Sequence, residues 1–156
     1  MVNDSLPPRP LLGLLFRLLA QHHGQAVHAA LKAAGFGDIR APHANVFPFV
    51  PPHGIQVSEL AALAGVRKQS MAQSVEELER AGYLERRPDP RDKRARLVFF
   101  TARGEAVRPV GKAAGQRVEE HWARLIGPDE LEHLRQSLRH LLERLREEPP
   151  PARPAN

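Results

Sequence analysis

The sequence predicts a mainly α-helical fold with one small β-hairpin and longer helices on either side of it. Residues 58–65 and 69–81 have helical spacing and are joined by a tight turn that contains glycine, as in a helix pair. Directly after them, two predicted strands, 83–87 and 96–101, flank a charged, turn-forming segment. Leucine stripes with helical spacing occur near both ends of the chain. We therefore expect a winged helix-turn-helix together with an α-helical dimerisation domain.

Length and composition fit one ordinary domain with a dimerisation extension. The 156 residues include 42% apolar and 26% charged side chains, close to globular averages. The chain is too short for a Rossmann-type enzyme with a separate substrate domain. Its lack of cysteine excludes a disulfide scaffold, a cysteine-based zinc site and a thiol switch. The apolar run 11–20 contains Arg17 and has about half the length that a bilayer span needs, so we expect a cytoplasmic protein.

The net charge of +5 is concentrated in one segment. Residues 86–103 contain seven basic and two acidic side chains, whereas residues 104–156 are neutral overall. A local positive field of this kind favours a polyanion or an acidic partner. The alternative is an ordinary solvated basic loop.

The two ends of the chain are rich in proline. Residues 1–10 and 149–156 are therefore expected to be flexible. From residue 11 to about residue 34, apolar side chains recur at helical spacing, and Gly35 and Gly37 follow them. This pattern predicts a long first helix with one apolar face.

The segment after the first helix, residues 41–55, contains four prolines. A short helix fits around residues 43–47, and Pro48 should end it. We assign residues 11–52 to a dimerisation helix and a short connecting helix.

The helix-turn-helix pair has recognisable ends. Ser58 is predicted to cap the first helix, and Gly65 to end it in the left-handed conformation. Gly82 follows the second helix. The buried face of that second helix is predicted to contain Met71, Val75 and Leu78. The first helix of the pair is short and rich in alanine, which allows the two helices to pack closely.

The charged segment Pro88-Asp-Pro-Arg-Asp-Lys-Arg94 forms the predicted tip of the hairpin. A helix pair followed by a hairpin with a basic tip is typical of a winged helix-turn-helix. We therefore assign residues 53–103 to a DNA-binding domain of this type.

Two dimerisation helices are predicted in residues 104–148. Thr101 is expected to cap the first of them, and Pro109 to bend its first turns. Its apolar stripe consists of Val107, Val110, Ala114, Val118 and Trp122. The second helix, 129–147, has leucines at alternating spacings of three and four. Such a short seam could pack within its own chain, but we favour contact with a second subunit, because the winged unit has its own small core. Those leucines are Leu131, Leu134, Leu138, Leu141 and Leu145.

Three motifs between residues 57 and 104 occur together. They are Ser58-Glu-Leu-Ala; the segment from Gln69-Ser-Met to Leu78-Glu-Arg-Ala-Gly-Tyr-Leu-Glu-Arg-Arg87; and the hairpin tip with Leu97-Val, Thr101 and Gly104. In this combination the segment resembles the MarR family of bacterial transcriptional regulators. The resemblance implies a homodimer with interlocked first and last helices, whose two winged units bind a pseudo-palindromic operator. It also implies a repressor that a small-molecule effector releases.

The chain departs from the family pattern before the winged unit. The helix there is usually continuous in the family, and here Pro48, Pro51 and Pro52 interrupt the equivalent region. In the family this region borders the pocket for a small effector, aromatic or otherwise. The side chains that we predict for such a pocket, which could equally belong to the core, are Phe16, His43 and Phe47.

The first group of candidate DNA contacts lies where the second helix of the pair begins, because in this fold that end faces the base edges. A glutamine can make a bidentate contact with adenine, a lysine can donate to guanine, and the free N–H groups suit a phosphate. The later residues 76–79 are acidic and would be repelled by phosphate. The alternative is an ordinary surface helix. The candidates are Arg67, Lys68, Gln69, Ser70 and Gln73.

The wing tip is the second group of candidate DNA contacts. Its members are Arg91, Asp92, Lys93 and Arg94. Arginines on a short hairpin can enter a narrow minor groove, where the negative potential is enhanced. Asp92 is expected to orient Arg94 through a charge-assisted hydrogen bond rather than to touch DNA. In the MarR family the matching Asp and Arg are the signature of the wing.

Other function classes find little support. No His-x-x-x-His pair and no cysteine accompany the eight histidines, so we expect no metal site and no cofactor, with metal sensing as a minor alternative. We find no serine elbow, phosphate-binding glycine loop or convincing carboxylate pair, so we do not expect an enzyme. The main alternative is a winged-helix protein-interaction module without sequence-specific DNA binding, which would not need the basic wing.

Overall fold

The structure, a computed structural model, describes residues 7–92 and 94–148. Within these residues it contains five α-helices, one 3₁₀ helix and a two-stranded antiparallel sheet. The predicted mainly helical fold with a small hairpin is confirmed. Most of the predicted flexible ends, and Lys93, lie outside the described residues. The elements are α1 (Leu12–Ala33), the 3₁₀ helix (Ala41–Asn45), α2 (Val57–Ala64), α3 (Lys68–Arg80), β1 (Leu84–Pro88), β2 (Arg96–Phe100), α4 (Ala102–Ile126) and α5 (Pro128–Glu147).

The predicted cap of α2 is wrong by two residues. Gln56, not Ser58, precedes the helix, and Glu59 Oε2 accepts a hydrogen bond from the Gln56 backbone N–H at 3.4 Å. A glutamate at the third helical position thus satisfies an unpaired N–H group from within the helix. Ser58 lies inside the first turn. At the other end, Gly65 adopts the predicted left-handed conformation, with φ of 66°.

The face of α3 that the sequence predicted as buried is confirmed. Met71, Val75 and Leu78 are each at most 1% exposed. They belong to one core with Leu60 of α2, Tyr83 and Leu84 of the wing, and Leu31, Val46 and Val107 outside the winged unit. Because this core fixes the rotation of α3 about its axis, the polar side chains on the opposite face must point to solvent.

The hairpin is tied to the rest of the unit along β2 and at its base. Leu84 pairs with Phe100 at its base. Ile55 forms an isolated bridge with Val98, with backbone hydrogen bonds of 3.2 and 2.8 Å. At the base, a Cβ atom on Gly104 would lie only 2.1 Å from the Tyr83 carbonyl oxygen, so only glycine fits there. The wing is therefore held in a fixed position next to α3.

The start of α4 confirms the predicted cap. Thr101 Oγ1 accepts a hydrogen bond from Gly104 N–H at 3.2 Å and donates to the Gly82 carbonyl at 2.6 Å. The helix continues through Pro109. Three residues of its predicted stripe, Val107, Ala114 and Val118, are buried.

The chain divides into two compact units, residues up to Gly115 and residues from Gln116. In the second unit, Arg135 binds Glu119 at 2.8 Å and Glu132 at 3.0 Å. The hydrogen bonds that Arg135 donates to Glu119 raise the pKa of Arg135 above its ordinary value. No residue of α5 is buried. Its predicted leucine seam is therefore largely in contact with solvent in the single chain.

Candidate nucleic-acid interface

The predicted base-reading residues lie together at the beginning of α3. Arg67 is the residue immediately before the helix, and Lys68, Gln69 and Ser70 form its first turn. All four are exposed. Their backbone N–H groups include the donors that an α-helix leaves unpaired at its start. This end of α3 therefore offers cationic, amide and hydroxyl groups to the same region of solvent.

Gln73 lies one turn further along the helix and is held by a neighbour. Its Nε2 atom donates a hydrogen bond of 3.1 Å to Glu77 Oε1. The other oxygen of Glu77 accepts hydrogen bonds from His43 and from Arg40. These bonds, from His43 most strongly and then from Gln73 and Arg40, lower the pKa of Glu77 from 4.5 to about 2. Glu77 is thus a carboxylate whose two oxygens have different partners.

His43 is buried and has a defined tautomer. Its side chain is 4% exposed. The Arg40 backbone N–H donates to Nδ1 at 3.1 Å, so the proton of the neutral ring resides on Nε2. That Nε2 atom lies 2.8 Å from Glu77 Oε2 and donates to it. The 3₁₀ helix is thereby joined to α3 through side chains.

The wing tip is built by aspartates that bond to the main chain. Asp89 is buried, and its Oδ1 atom accepts a 2.9 Å hydrogen bond from the Arg91 backbone N–H, which lowers the pKa of Asp89. Asp92 Oδ1 likewise accepts from the Arg94 backbone N–H at 2.9 Å. The predicted hydrogen bond between Asp92 and Arg94 is therefore present, and its donor is the Arg94 backbone N–H, because an aspartate in a turn readily bonds two residues ahead.

This construction leaves the arginine side chains of the tip available. The Arg91 side chain is 84% exposed, although its Nε atom lies 3.5 Å from Asp89 Oδ1. Arg94 is also exposed. Along the strands, Arg86 and Arg87 pair with Glu79 and with Glu85. Part of the basic charge is thus neutralised along the strands of the wing. At the tip, the guanidinium groups of Arg91 and Arg94 are exposed to solvent.

A cavity of about 530 Å³ lies in the first compact unit, near the predicted effector residues. Phe47 lines it and stacks on Phe100 with 5.4 Å between ring centroids. Phe16, which is 41% exposed, and the buried His43 are not among the lining residues. The lining consists of His23, Val27, Leu31, Ile39, Ala44, Phe47, Pro48, Glu105, Val107, Arg108, Pro109, Gly111 and Lys112.

Sequence reasoning missed Glu77, Arg108 and Lys112. Residues 76–79 were interpreted only as an acidic end that phosphate repels. The spacing of four between Gln73 and Glu77 is a signal that could have identified their hydrogen bond. The separations of His43 and Arg40 from Glu77 are 34 and 37 residues, and no local pattern indicates contacts of that range.

No helix in 7–92 or 94–148 has the length and apolar character needed to cross a membrane. The same residues contain no group of three or more potential metal ligands among histidine, aspartate and glutamate.

Comparison with known proteins places these features in one family. The MarR family model matches residues 49–95, which include α2, α3 and most of the wing. The transcriptional regulator HosA of Escherichia coli O111:H- is 30% identical over 89 residues, 57% of this chain. The match spans 66% of HosA, slightly less than two thirds of its length.

Solved structures extend the likeness to most of the chain. A crystal structure of MarR superposes with a TM-score of 0.74 at 25% identity, covering 88% of this chain and 98% of that one. A cysteine-to-serine mutant of E. coli MarR complexed with operator DNA gives 0.71 at 26% identity, covering 84% and 93%. SlyA shares the fold, with a TM-score of 0.72 at 18% identity and coverage of 87% and 94%. The winged helix-turn-helix segment, residues 49–95, belongs to the MarR family, and the chain has the fold of the solved MarR structures.

Proposed function

We propose that the protein is a homodimeric transcriptional repressor that binds a pseudo-palindromic operator through α3 and the wing. The observation that carries the proposal is the arrangement of α3. Its apolar face is buried in a core shared with the wing, so its polar first turn and the arginine tip of the wing have fixed positions in one compact unit. The MarR mutant solved with operator DNA, 26% identical to this chain, supports it.

The first turn of α3 is proposed to read bases. In winged helix-turn-helix proteins the start of this helix enters the major groove. Gln69 and Gln73 offer the donor and acceptor pair that matches adenine, and Lys68 offers a donor for guanine. Ser70, Arg67 and the unpaired backbone N–H groups suit the adjacent phosphates. The acidic residues follow later in the helix and stay away from the backbone of DNA.

The wing is proposed to position the protein on its operator. Arg91 and Arg94 project from a tip that Asp89 and Asp92 shape through main-chain hydrogen bonds. Guanidinium groups in such a place bind phosphates or a narrow minor groove, and Lys93 is proposed to add to this charge. These contacts fix the register of the complex, whereas the helix supplies sequence preference.

A second copy of the chain is proposed to cover the exposed apolar faces of α1 and α5, with residues 11–52 and 104–148 as the dimerising parts. Leu12 and Leu19 of α1 are 61% and 43% exposed, and Leu141 and Leu145 of α5 are 45% and 56% exposed. Exposed apolar stripes of this size are unfavourable in water and mark surfaces for interaction with another protein. A two-fold dimer also supplies the symmetry that a pseudo-palindrome requires.

The cavity is proposed to bind the effector that releases the repressor from DNA. Its volume of about 530 Å³ is within the range of small-molecule pockets. Its walls are mostly apolar. Arg108 is paired there with Glu105 at 3.2 Å, and Lys112 adds positive charge at α4. A small apolar or aromatic molecule with an anionic group fits this combination. A reporter gene behind the operator should be repressed by the protein and released by such a molecule.

The DNA-binding proposal is tested by selecting bound fragments from a randomised library and titrating the best one at several salt concentrations. If each dimer makes about 6–10 phosphate contacts, affinity should fall roughly 10³- to 10⁵-fold between 50 and 200 mM salt. Enrichment of an imperfect palindrome with half-sites about one helical turn apart is expected. No enrichment and no salt dependence would instead favour the protein-interaction module.

A further inference from the structure

We propose that Glu77 is a positioning residue that determines the base preference of Gln73, and that Arg40 and His43 hold it in place for this purpose. The inference rests on the proposed DNA-binding function. It assigns a role in reading the operator to an acidic residue that would itself be repelled by DNA phosphates.

The contact with Glu77 fixes the orientation of the Gln73 amide. A glutamine amide has an oxygen on one side and an NH₂ group on the other, and rotation by half a turn exchanges them. A carboxylate can only accept hydrogen bonds, so Glu77 Oε1 requires the NH₂ side of Gln73, as the 3.1 Å contact shows. One N–H is used in this bond. The oxygen and the second N–H stay available as an acceptor and donor pair with a fixed order.

The fixed order of acceptor and donor on Gln73 matches the hydrogen-bonding edge of adenine. The acceptor on Gln73 can receive the adenine N6 amino group, and its remaining N–H can donate to N7. The reverse amide orientation would place donor and acceptor in the wrong order for this base. Fixing the orientation before binding also avoids the entropy cost of ordering a free glutamine side chain at the interface.

Glu77 can orient the Gln73 amide because the carboxylate of Glu77 is itself held in place. A glutamine and a carboxylate four residues apart on an exposed helix attract each other only weakly. Here the other oxygen, Glu77 Oε2, is bound by the His43 ring at 2.8 Å and by the Arg40 guanidinium. His43 is itself buried, with its second ring nitrogen bonded to the main chain at 3.1 Å. The plane of the carboxylate is therefore fixed from outside α3.

The proposal is tested with the full-length protein on a randomised operator, using Glu77→Gln and the matched control Glu76→Gln. Glu76 is the preceding residue, and its ion pair with Arg80, at 3.7 Å, is exposed. Both variants remove one negative charge from the same helix, so both should raise affinity for all sequences alike. Only Glu77→Gln also offers an NH₂ group to Gln73, which permits the reverse amide orientation.

The position read by Gln73 is identified as the one at which Gln73→Ala loses its preference. The native protein should favour adenine there by about 5- to 150-fold. Glu77→Gln should lose most of this ratio while preferences elsewhere in the site are retained, and Glu76→Gln should keep it within about twofold. In a Gln73→Ala background, Glu77→Gln should change nothing further at that position.

Arg40→Gln provides a second variant, because the Arg40 side chain is 62% exposed and its loss should not unfold the protein. It should lower the adenine preference less than Glu77→Gln does. An unchanged preference in both variants, with the native operator still selected, would overturn this inference and leave the proposed function standing. A native protein that selects no sequence at all would overturn both.

Discussion

The helices α3 and α5 have similar amphipathic patterns but different surroundings. The apolar residues of α3 are almost completely buried, with Val75 and Leu78 at 0% exposure. The corresponding leucines of α5, such as Leu134 and Leu141, are 40% and 45% exposed. Helix α3 thus obtains its orientation from its own chain, whereas the seam of α5 is largely exposed in the single chain, and we propose that a second copy covers it. Folding of the winged unit and assembly of the dimer are thus expected to fail independently.

The largest expected effect is on assembly. Replacing both Leu138 and Leu141 by glutamate places charges in the proposed subunit interface, where unpaired charge is costly. We expect monomers or insoluble protein in sedimentation, with the helix content of the winged unit retained in any monomer. A well-folded dimer formed by the double variant would show that the subunits meet elsewhere.

The next effect is on the core of the recognition unit. Leu78→Ala should lower the free energy of unfolding by about 2–5 kcal/mol, because it leaves a cavity in a closed core. Leu142→Ala in α5, where the side chain is 56% exposed, is the matched control. Denaturant unfolding at several protein concentrations distinguishes them. The loss for Leu78→Ala should not depend on concentration, and equal losses for both variants would contradict the comparison.

A smaller effect tests the network that connects α3 to the preceding segment. The pKa of Glu77 is lowered from 4.5 to about 2, so its ionised form is favoured in the folded protein. The resulting stability is fully present above pH 4.5 and is lost as the pH falls towards 2. The stability difference between the native protein and Glu77→Gln, followed by denaturant unfolding, should therefore shrink as the pH is lowered through this range. A difference that stays constant from pH 6 to pH 3 would contradict the assigned network.

Much of the fold could be predicted from the sequence because its signals are local. The spacing of apolar residues in α3 and the glycines at 65 and 82 fix that helix within one residue. The cap of α2 was misplaced because serine is a more frequent cap residue than glutamine. Here Gln56 precedes the helix, and Glu59 accepts the hydrogen bond from its backbone N–H. The wing and the hydrogen bond between Asp92 and Arg94 were predicted from the turn residues. Which group of Arg94 donates was not predicted, since a turn offers both a side chain and a backbone N–H.

The candidate site could be predicted only in part. The exposed residues of α3 follow from knowing which face is buried. The cavity could not be derived, because Val27, Phe47 and Arg108 come from three separated segments. The contacts of Glu77 with His43 and Arg40 also depend on tertiary packing, which places a buried histidine against the side of α3.

In the proposed complex, α3 specifies the operator while the wing positions the protein. The most direct measurement compares the binding preferences of Gln69→Ala and Arg94→Ala with those of the native protein on a randomised site. Gln69→Ala should relax preference at particular positions, at a cost of about 1–3 kcal/mol for a lost bidentate pair. Arg94→Ala should weaken binding on nearly all sequences and reduce its salt dependence. Uniform loss for Gln69→Ala together with altered preference for Arg94→Ala would contradict the account and reverse the roles of helix and wing.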